Sequence, residues 1–186
     1  MLSLSEEDRK AILAAARHGV FYAVAHGRAA PDLPDKGNFA EPCGLFVTLH
    51  ASGKLRGCIG MIDARGTLGE NLARCSADAA LHDPRFSPLR AEELNHLEIE
   101  VSLLSPLHAL QPDEVEVGKH GLLVERGMRR GLLLPQVATE HHLTREQFLA
   151  ETCVKAGLPR EAWREPETRL YGFECQIVAE KSENRK

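Results

Sequence analysis

LFVTLHASGKLRGCIGMI, residues 45–62, has the pattern of a β-hairpin. Apolar and polar side chains alternate from Leu45 to His50, which is typical of a strand with one buried face. The alternation stops at residues 51–54, and a short run interrupted by glycines follows at 55–62. We therefore predict two paired strands, the second of them glycine-rich.

Helical patterns lie on both sides of this hairpin. Ser5 can cap a first helix that has an apolar stripe up to Ala23. A second helix is predicted from Leu68 to about His82, and a third begins where Thr144 and Gln147 form a capping-box signature. The segment 30–41 is expected to be a surface loop with too little apolar content to pack, either a mobile lid or a connector.

Two runs at 121–125 and 131–134 that flank a turn at Arg126-Gly127 predict another hairpin, and alternating patterns predict further strands at 97–103 and 171–179. In the last of these, the odd-numbered residues from Tyr171 to Ala179 are predicted to share one face. Helices and hairpins mix without a repeating βαβ unit. We therefore predict an α+β fold with a largely antiparallel sheet flanked by helices.

Composition limits the class of protein. The chain has 186 residues, 43% of them hydrophobic, a net charge of -4 and five cysteines, with no CxxC pair. These values predict one domain over residues 1–186, reduced thiols and no long-range attraction to nucleic acid. The N-terminal segment turns acidic at Glu6 and has no secretory pattern, and no run is apolar enough to span a membrane, so we expect a cytoplasmic protein.

A set of short motifs resembles the AMMECR domain family, which is system protein A of the AmmeMemoRadiSam group. The six-residue segment Leu55–Gly60, LRGCIG, is similar to the hallmark of that family. Further matches stand in the family's order: GLFVTL at 44–49, DPRF at 83–86, EVS at 100–102, GKHG at 118–121, LPQVA at 134–138 and KAGLP at 155–159.

The resemblance implies a larger and a smaller lobe, with a cleft near residues 55–60 that the hallmark segment lines. The family has no assigned activity, and its microbial members tend to be encoded beside Memo-like and radical SAM proteins. Those proteins are therefore the partners that the resemblance implies. This chain has no three-cysteine cluster motif, so we expect no cofactor and assign any iron chemistry to the partners.

The hallmark segment also has a physical interpretation of its own. In an extended strand Arg56 and Cys58 project from the same face, where a guanidinium would favour the thiolate and clamp an anion. Gly57 and Gly60 would let a ligand or another backbone approach. The alternative is that Cys58 packs as a small hydrophobic side chain while the glycines permit tight strand crossing.

Three polar residues outside the hallmark complete the hypothetical site. Asp83 and Arg85 could bind an anionic ligand or could lock a loop internally, and Glu100 is a candidate general acid or base. The leading hypothesis is a small anionic or nucleotide-like ligand bound around these residues, with Cys58 and Glu100 as candidate catalytic residues and Arg56, Gly57, Gly60, Asp83 and Arg85 as candidate binding residues.

Two other functions stay open. The first is a non-catalytic adaptor that binds a protein partner. The second is nucleic-acid binding through the basic residues Lys119, Arg126, Arg129 and Arg130, which the scarcity of aromatic residues makes the weaker alternative. A His82–Cys58 pair is not supported by the resemblance, and His141–His142 lack a second cluster, so we predict no metal site.

Overall fold

The computed structural model describes residues 2–62 and 65–180. Its strands are β1 Gly44–Ala51, β2 Lys54–Met61, β3 Leu97–Leu104, β4 His108–Ala109, β5 His120–Arg126, β6 Arg129–Leu133 and β7 Arg169–Ala179. Its α-helices are α1 Glu6–His26, α2 Leu68–Leu81, α3 Pro135–Glu140 and α4 Arg145–Lys155. All the pairings below are antiparallel, so the α+β prediction is confirmed.

The chain divides into two compact units. The larger comprises the residues up to Leu104 together with those from Gln176 onward, and the smaller comprises Ser105–Cys175. Strand β7 therefore contributes its last residues to one unit and its first residues to the other.

The larger unit has the strand order β2-β1-β3, followed by the end of β7. Leu45, Val47 and Leu49 are fully buried on one face of β1, where they share a core with residues of α1 and α2. Burying each such side chain contributes about 1.5–3 kcal/mol. Because side chains alternate along a strand, the other face of β1 carries Phe46 and Thr48.

The β1–β2 hairpin is closed by a two-residue turn. Ala51 pairs with Lys54, and the intervening Ser52 and Gly53 have φ of 52° and 73°. Two positive φ values are the signature of the turn type whose twist matches that of a hairpin. The register then shifts: Leu49 lies opposite Gly57 and His50 opposite Leu55, which leaves Arg56 in a β-bulge.

The smaller unit has β7, β5 and β6 in that order, and β4 also pairs with β7. Phe148 and Leu149 of α4 pack with Leu122 and Val124 of β5 to form its core. The capping box of Thr144 and Gln147 that begins α4 is present as predicted.

One local prediction is wrong, and one strand departs from the simple burial pattern that its sequence suggests. Phe39, in a short 3-10 turn inside the predicted loop, joins the core of the larger unit, so this segment does pack. In β7 the buried face changes, because Ile177 is 39% exposed whereas Val178 is 3% exposed. None of the helices within residues 2–62 and 65–180 has the length and apolar content needed to cross a bilayer.

Candidate functional site

Cys58 lies in a row of three polar side chains that crosses three strands. It is opposite Thr48 of β1, which in turn is opposite Glu100 of β3, so the three project from the same face of the sheet. The Cys58 Sγ and Thr48 Oγ1 atoms are 3.3 Å apart, within hydrogen-bond distance, and the thiol is half-buried. We call Cys58, Thr48 and Glu100 the thiol row.

Asp83 and Arg85 hold the backbone of Cys58. The Cys58 N–H donates to Asp83 Oδ2 at 2.8 Å, and the Cys58 carbonyl accepts from Arg85 Nη2 at 3.2 Å. Both backbone groups therefore point away from β1. A strand residue in that position forms a non-hydrogen-bonded pair with its neighbour, and in such pairs the side chains are closer. This geometry explains the short contact between Cys58 and Thr48.

Asp83 is an ionised anchor. Its carboxylate also accepts from the backbone N–H, Nε and Nη2 of Arg85, and the side chain is 2% exposed. The hydrogen bonds from Arg85 hold the pKa of Asp83 well below its usual range, outweighing the effect of burial. Asp83 and Arg85 thus form hydrogen bonds to the outer edge of β2. These contacts correspond to the alternative in which this motif locks a loop internally.

The guanidinium of Arg56 is bound by the protein itself. Nε and Nη2 donate to the two carboxylate oxygens of Glu93, at 2.7 and 3.1 Å, and Nη1 donates to the Ser87 carbonyl at 3.0 Å. Arg56 in turn lowers the pKa of Glu93. The bulge at Arg56 and this paired carboxylate direct the guanidinium to residues 87–93, so its described contacts are not with the thiol.

The space above the two hallmark glycines is occupied by the chain. A Cβ on Gly57 would lie 2.3 Å from the Ala79 carbonyl oxygen of α2, and one on Gly60 would lie 2.3 Å from the ring of Phe46. Gly57 therefore admits a helix and Gly60 admits an aromatic ring, which is the tight packing that the alternative interpretation predicts.

A groove lies beside Arg56. It has a volume of about 730 Å³ and is lined by Arg56, Phe86, Ser87, Arg90, Glu92 and Glu93. The Phe86 ring is flanked by the guanidinium carbons of Arg56 and Arg85, 5.9 and 5.5 Å from its centroid. Because Arg85 also donates to Cys58, the groove and the backbone that carries the thiol are joined by a chain of contacts.

Sequence reasoning gave two residues of this face, Thr48 and Ser102, no role. Thr48 was noted only as part of an alternating pattern, and its contact with Cys58 follows from the register of the hairpin. Ser102, opposite Phe46 on the same face, is fully buried, and its hydroxyl has no hydrogen-bond partner among the described residues. An unpartnered buried hydroxyl is rare in native proteins.

The other candidate residues lie apart from the thiol row. His82 is exposed and contacts Asp78, and within residues 2–62 and 65–180 no group of three or more potential metal ligands occurs. Lys119, Arg126 and Arg130 form ion pairs with Glu116, Glu165 and Glu125, and Arg129 donates to the Gly157 carbonyl. These contacts reduce the positive charge that the basic hairpin could offer to a nucleic acid.

This chain is similar to known proteins both in sequence and in structure. A protein of Methanothermobacter thermautotrophicus is 47% identical over 160 residues, covering 82% of each chain, and one of Methanopyrus kandleri is 37% identical over 187 residues, covering 95% of this chain and 90% of that one. The crystal structure of an uncharacterized protein from Pyrococcus horikoshii superposes with a TM-score of 0.87 at 35% identity, covering 96% and 94% of the two chains. The AMMECR1 family model matches residues 13–178, so the chain belongs to the AMMECR1 family.

Proposed function

We propose that the larger unit binds a small anionic, nucleotide-like ligand in the groove at Arg90 and that Cys58 is a reactive thiol. The thiol row carries this proposal. Thr48 lies opposite Cys58 on one side and opposite Glu100 on the other, and its hydroxyl is 3.3 Å from the thiol, so the proposed step passes the Cys58 proton to Thr48 while the Thr48 proton passes to Glu100. The products of this step are a thiolate and a neutral carboxyl group.

The groove supplies the binding groups. The guanidinium of Arg90 makes no hydrogen bond with the described residues, although its charge helps to lower the pKa of Glu93, whereas the guanidinium of Arg56 is bound by Glu93. Arg90 is therefore the cation that an anionic group would meet, and the Phe86 ring forms part of the wall of the same groove. Arg56 has a positioning role, since it fixes the Glu93 side of the groove.

Thiol labelling tests the reactive cysteine. With limiting iodoacetamide at neutral pH, we expect mass spectrometry to find label first on Cys58. Thr48→Val should slow that labelling about fivefold, because a hydrogen bond that favours the thiolate contributes about 1 kcal/mol. Cys175, the other half-buried thiol, is the internal control. Labelling of Cys58 no faster than that of the other four thiols would reject the nucleophile.

Calorimetric titration tests the ligand. We expect AMP to bind and adenosine to bind more weakly, and Arg90→Gln to raise the Kd for AMP about tenfold through the loss of a charged hydrogen bond. Arg74→Gln, at an exposed position of α2, is the matched control. Equal affinities for AMP and adenosine, or equal effects of the two variants, contradict the anionic ligand.

A protein-binding adaptor is the second candidate. Met128, at the tip of the β5–β6 hairpin, is 99% exposed, and methionine is common at adaptable binding surfaces. The Memo-like and radical SAM proteins implied by the family belong to this proposal as partners. Pull-down from a purified mixture separates the two functions: an adaptor loses affinity with Met128→Ser and keeps it with Cys58→Ala, whereas an enzyme loses turnover with Cys58→Ala.

A further inference from the structure

A second cavity lies entirely within the smaller unit. It has a volume of about 470 Å³, and its wall is formed by the chain at 109–112, 163–166 and 168–171. Leu110 and Leu170, both buried in the core of this unit, supply an apolar part of the wall, and the indole of Trp163 supplies an aromatic one. The volume is in the range of natural small-molecule sites.

Two polar side-chain atoms in the residues of this wall have no hydrogen-bond partner among the described residues. Trp163 Nε1 and Thr168 Oγ1 are both buried, and neither has a hydrogen-bond partner in the described part of the chain. Two such atoms in residues that line one cavity are unusual, because buried polar groups in native proteins are nearly always paired. An indole N–H can only donate, so its missing partner is an acceptor.

The charged side chains in the wall of this cavity also favour an anionic ligand. The guanidinium of Arg169 makes no ion pair and no hydrogen bond to any described residue, although Arg169 lines the cavity. Glu165, the carboxylate that lines it, is already bound by Arg126 at 2.5 Å, and Arg164 is bound by Glu161 at 2.8 Å. The cavity therefore has a spare cation and no spare anion.

The Trp163 indole is held by an arginine contact and by packing. The guanidinium carbon of Arg164 lies 4.2 Å from the centroid of its ring, which covers one side of the indole. The indole is partly buried against the core of the smaller unit, so its orientation is fixed by packing.

We propose that this cavity binds a small molecule composed of an apolar ring and an oxyanion, either a carboxylate or a phosphate. The ring lies along Trp163, Leu110 and Leu170, and the oxyanion accepts from Arg169, with small shifts of Trp163 and Thr168 bringing their buried donors to it. This site shares no residue with the thiol row or with the groove at Arg90.

The fluorescence of Trp163, the single tryptophan of the chain, reports occupancy directly. The full-length protein is titrated with benzoate, with phenyl phosphate and with neutral benzamide. We expect a saturable change with at least one of the two anions and a Kd for benzamide at least about tenfold higher. The tighter of the two anions identifies the oxyanion. The absence of a saturable response to both, or an equal response to benzamide, overturns the proposal.

Variants locate the binding. Arg169→Gln should raise the Kd about tenfold and Thr168→Val severalfold, since each removes a donor to the oxyanion. Arg160→Gln removes an exposed arginine of the same unit that pairs with Glu151 outside the cavity, and it should change nothing. Unchanged affinity in Arg169→Gln rejects the site. Cys58→Ala should bind benzoate normally, so failure of the proposed function would leave this test intact.

Discussion

At the scale of single residues, Asp83 does the most to place the candidate nucleophile. Its carboxylate accepts one hydrogen bond from Cys58 and three from Arg85, and it is buried in doing so. The bond to the Cys58 N–H is made where β2 has no further strand beside it in the strand order. An open edge of this kind pairs readily with other chains, so Asp83 also protects the sheet.

Asp83→Asn should make the free energy of unfolding less dependent on pH in the acid range. The folded-state pKa of Asp83 is depressed, so its contribution is fully present above its ordinary pKa of 3.8 and is lost as the pH falls through the folded-state pKa. We expect the variant to be about 2 kcal/mol less stable at neutral pH, because Arg85 and the Cys58 N–H lose a charged acceptor. The deficit should shrink as the pH falls below 3.8.

Urea denaturation between neutral pH and strong acid measures this effect. Asp35→Asn, at an exposed position, is the control and should follow the wild type. A deficit for Asp83→Asn that stays constant with pH would show that the carboxylate is not the source of the stability.

The sequence predicted some of these residues and not others, for a physical reason. Alternation alone placed Thr48 and Glu100 on the polar faces of their strands, since the two-residue period of a strand is local. The direction of Arg56 depends on a bulge set by the register with β1 and on Glu93, which is 37 positions away. No local pattern contains that information, and the same applies to the anchoring of Cys58 by Asp83.

At the scale of elements, helix boundaries were the most predictable feature. Capping boxes begin α1 at Ser5 and α4 at Thr144, and each was recognisable because all its partners lie within three positions. The six-residue helix α3 was missed, since so short an element has little periodicity. The change of face in β7 was missed because it depends on which core each half of the strand meets.

Gly57→Ala should separate α2 from β2. The new Cβ would lie 2.3 Å from the Ala79 carbonyl oxygen, and backbone cannot rotate away as a side chain can. We expect a loss of about 1–3 kcal/mol in the free energy of unfolding, the usual cost of overpacking. Chemical denaturation measures it, with Lys54→Ala at an exposed position of the same strand as control. Equal stability of the two variants would show that the helix does not approach Gly57 this closely.

At the scale of the whole molecule, the thiols divide between two cores. Cys43 and Cys75 are buried in the larger unit and Cys153 is buried in the smaller one. Burial raises the pKa of Cys75 to about 12 and raises those of the other two thiols. In a Cys58→Ala, Cys175→Ala variant, iodoacetamide should therefore react only when a unit opens.

Labelling across a urea gradient, read by mass spectrometry, tests this arrangement. Cys43 and Cys75 should lose protection at the same urea concentration because they share a core, and Cys153 should report the other core independently. Labelling of any of the three in the absence of urea, at the rate of a free small-molecule thiol, would contradict the burial described for it.

Strand β7 has a consequence for biosynthesis. Val178 belongs to the core of the larger unit, and the backbone N–H of Glu180 donates to the Ile99 carbonyl, yet residues 105–175 separate this segment from β3 in the chain. During synthesis on the ribosome, one edge of β3 has no partner strand until the smaller unit has been translated. A nascent chain in that state is open to mispairing with its neighbours on a polysome, and early folding of the contiguous smaller unit would shorten the interval by delivering the closing strand in place.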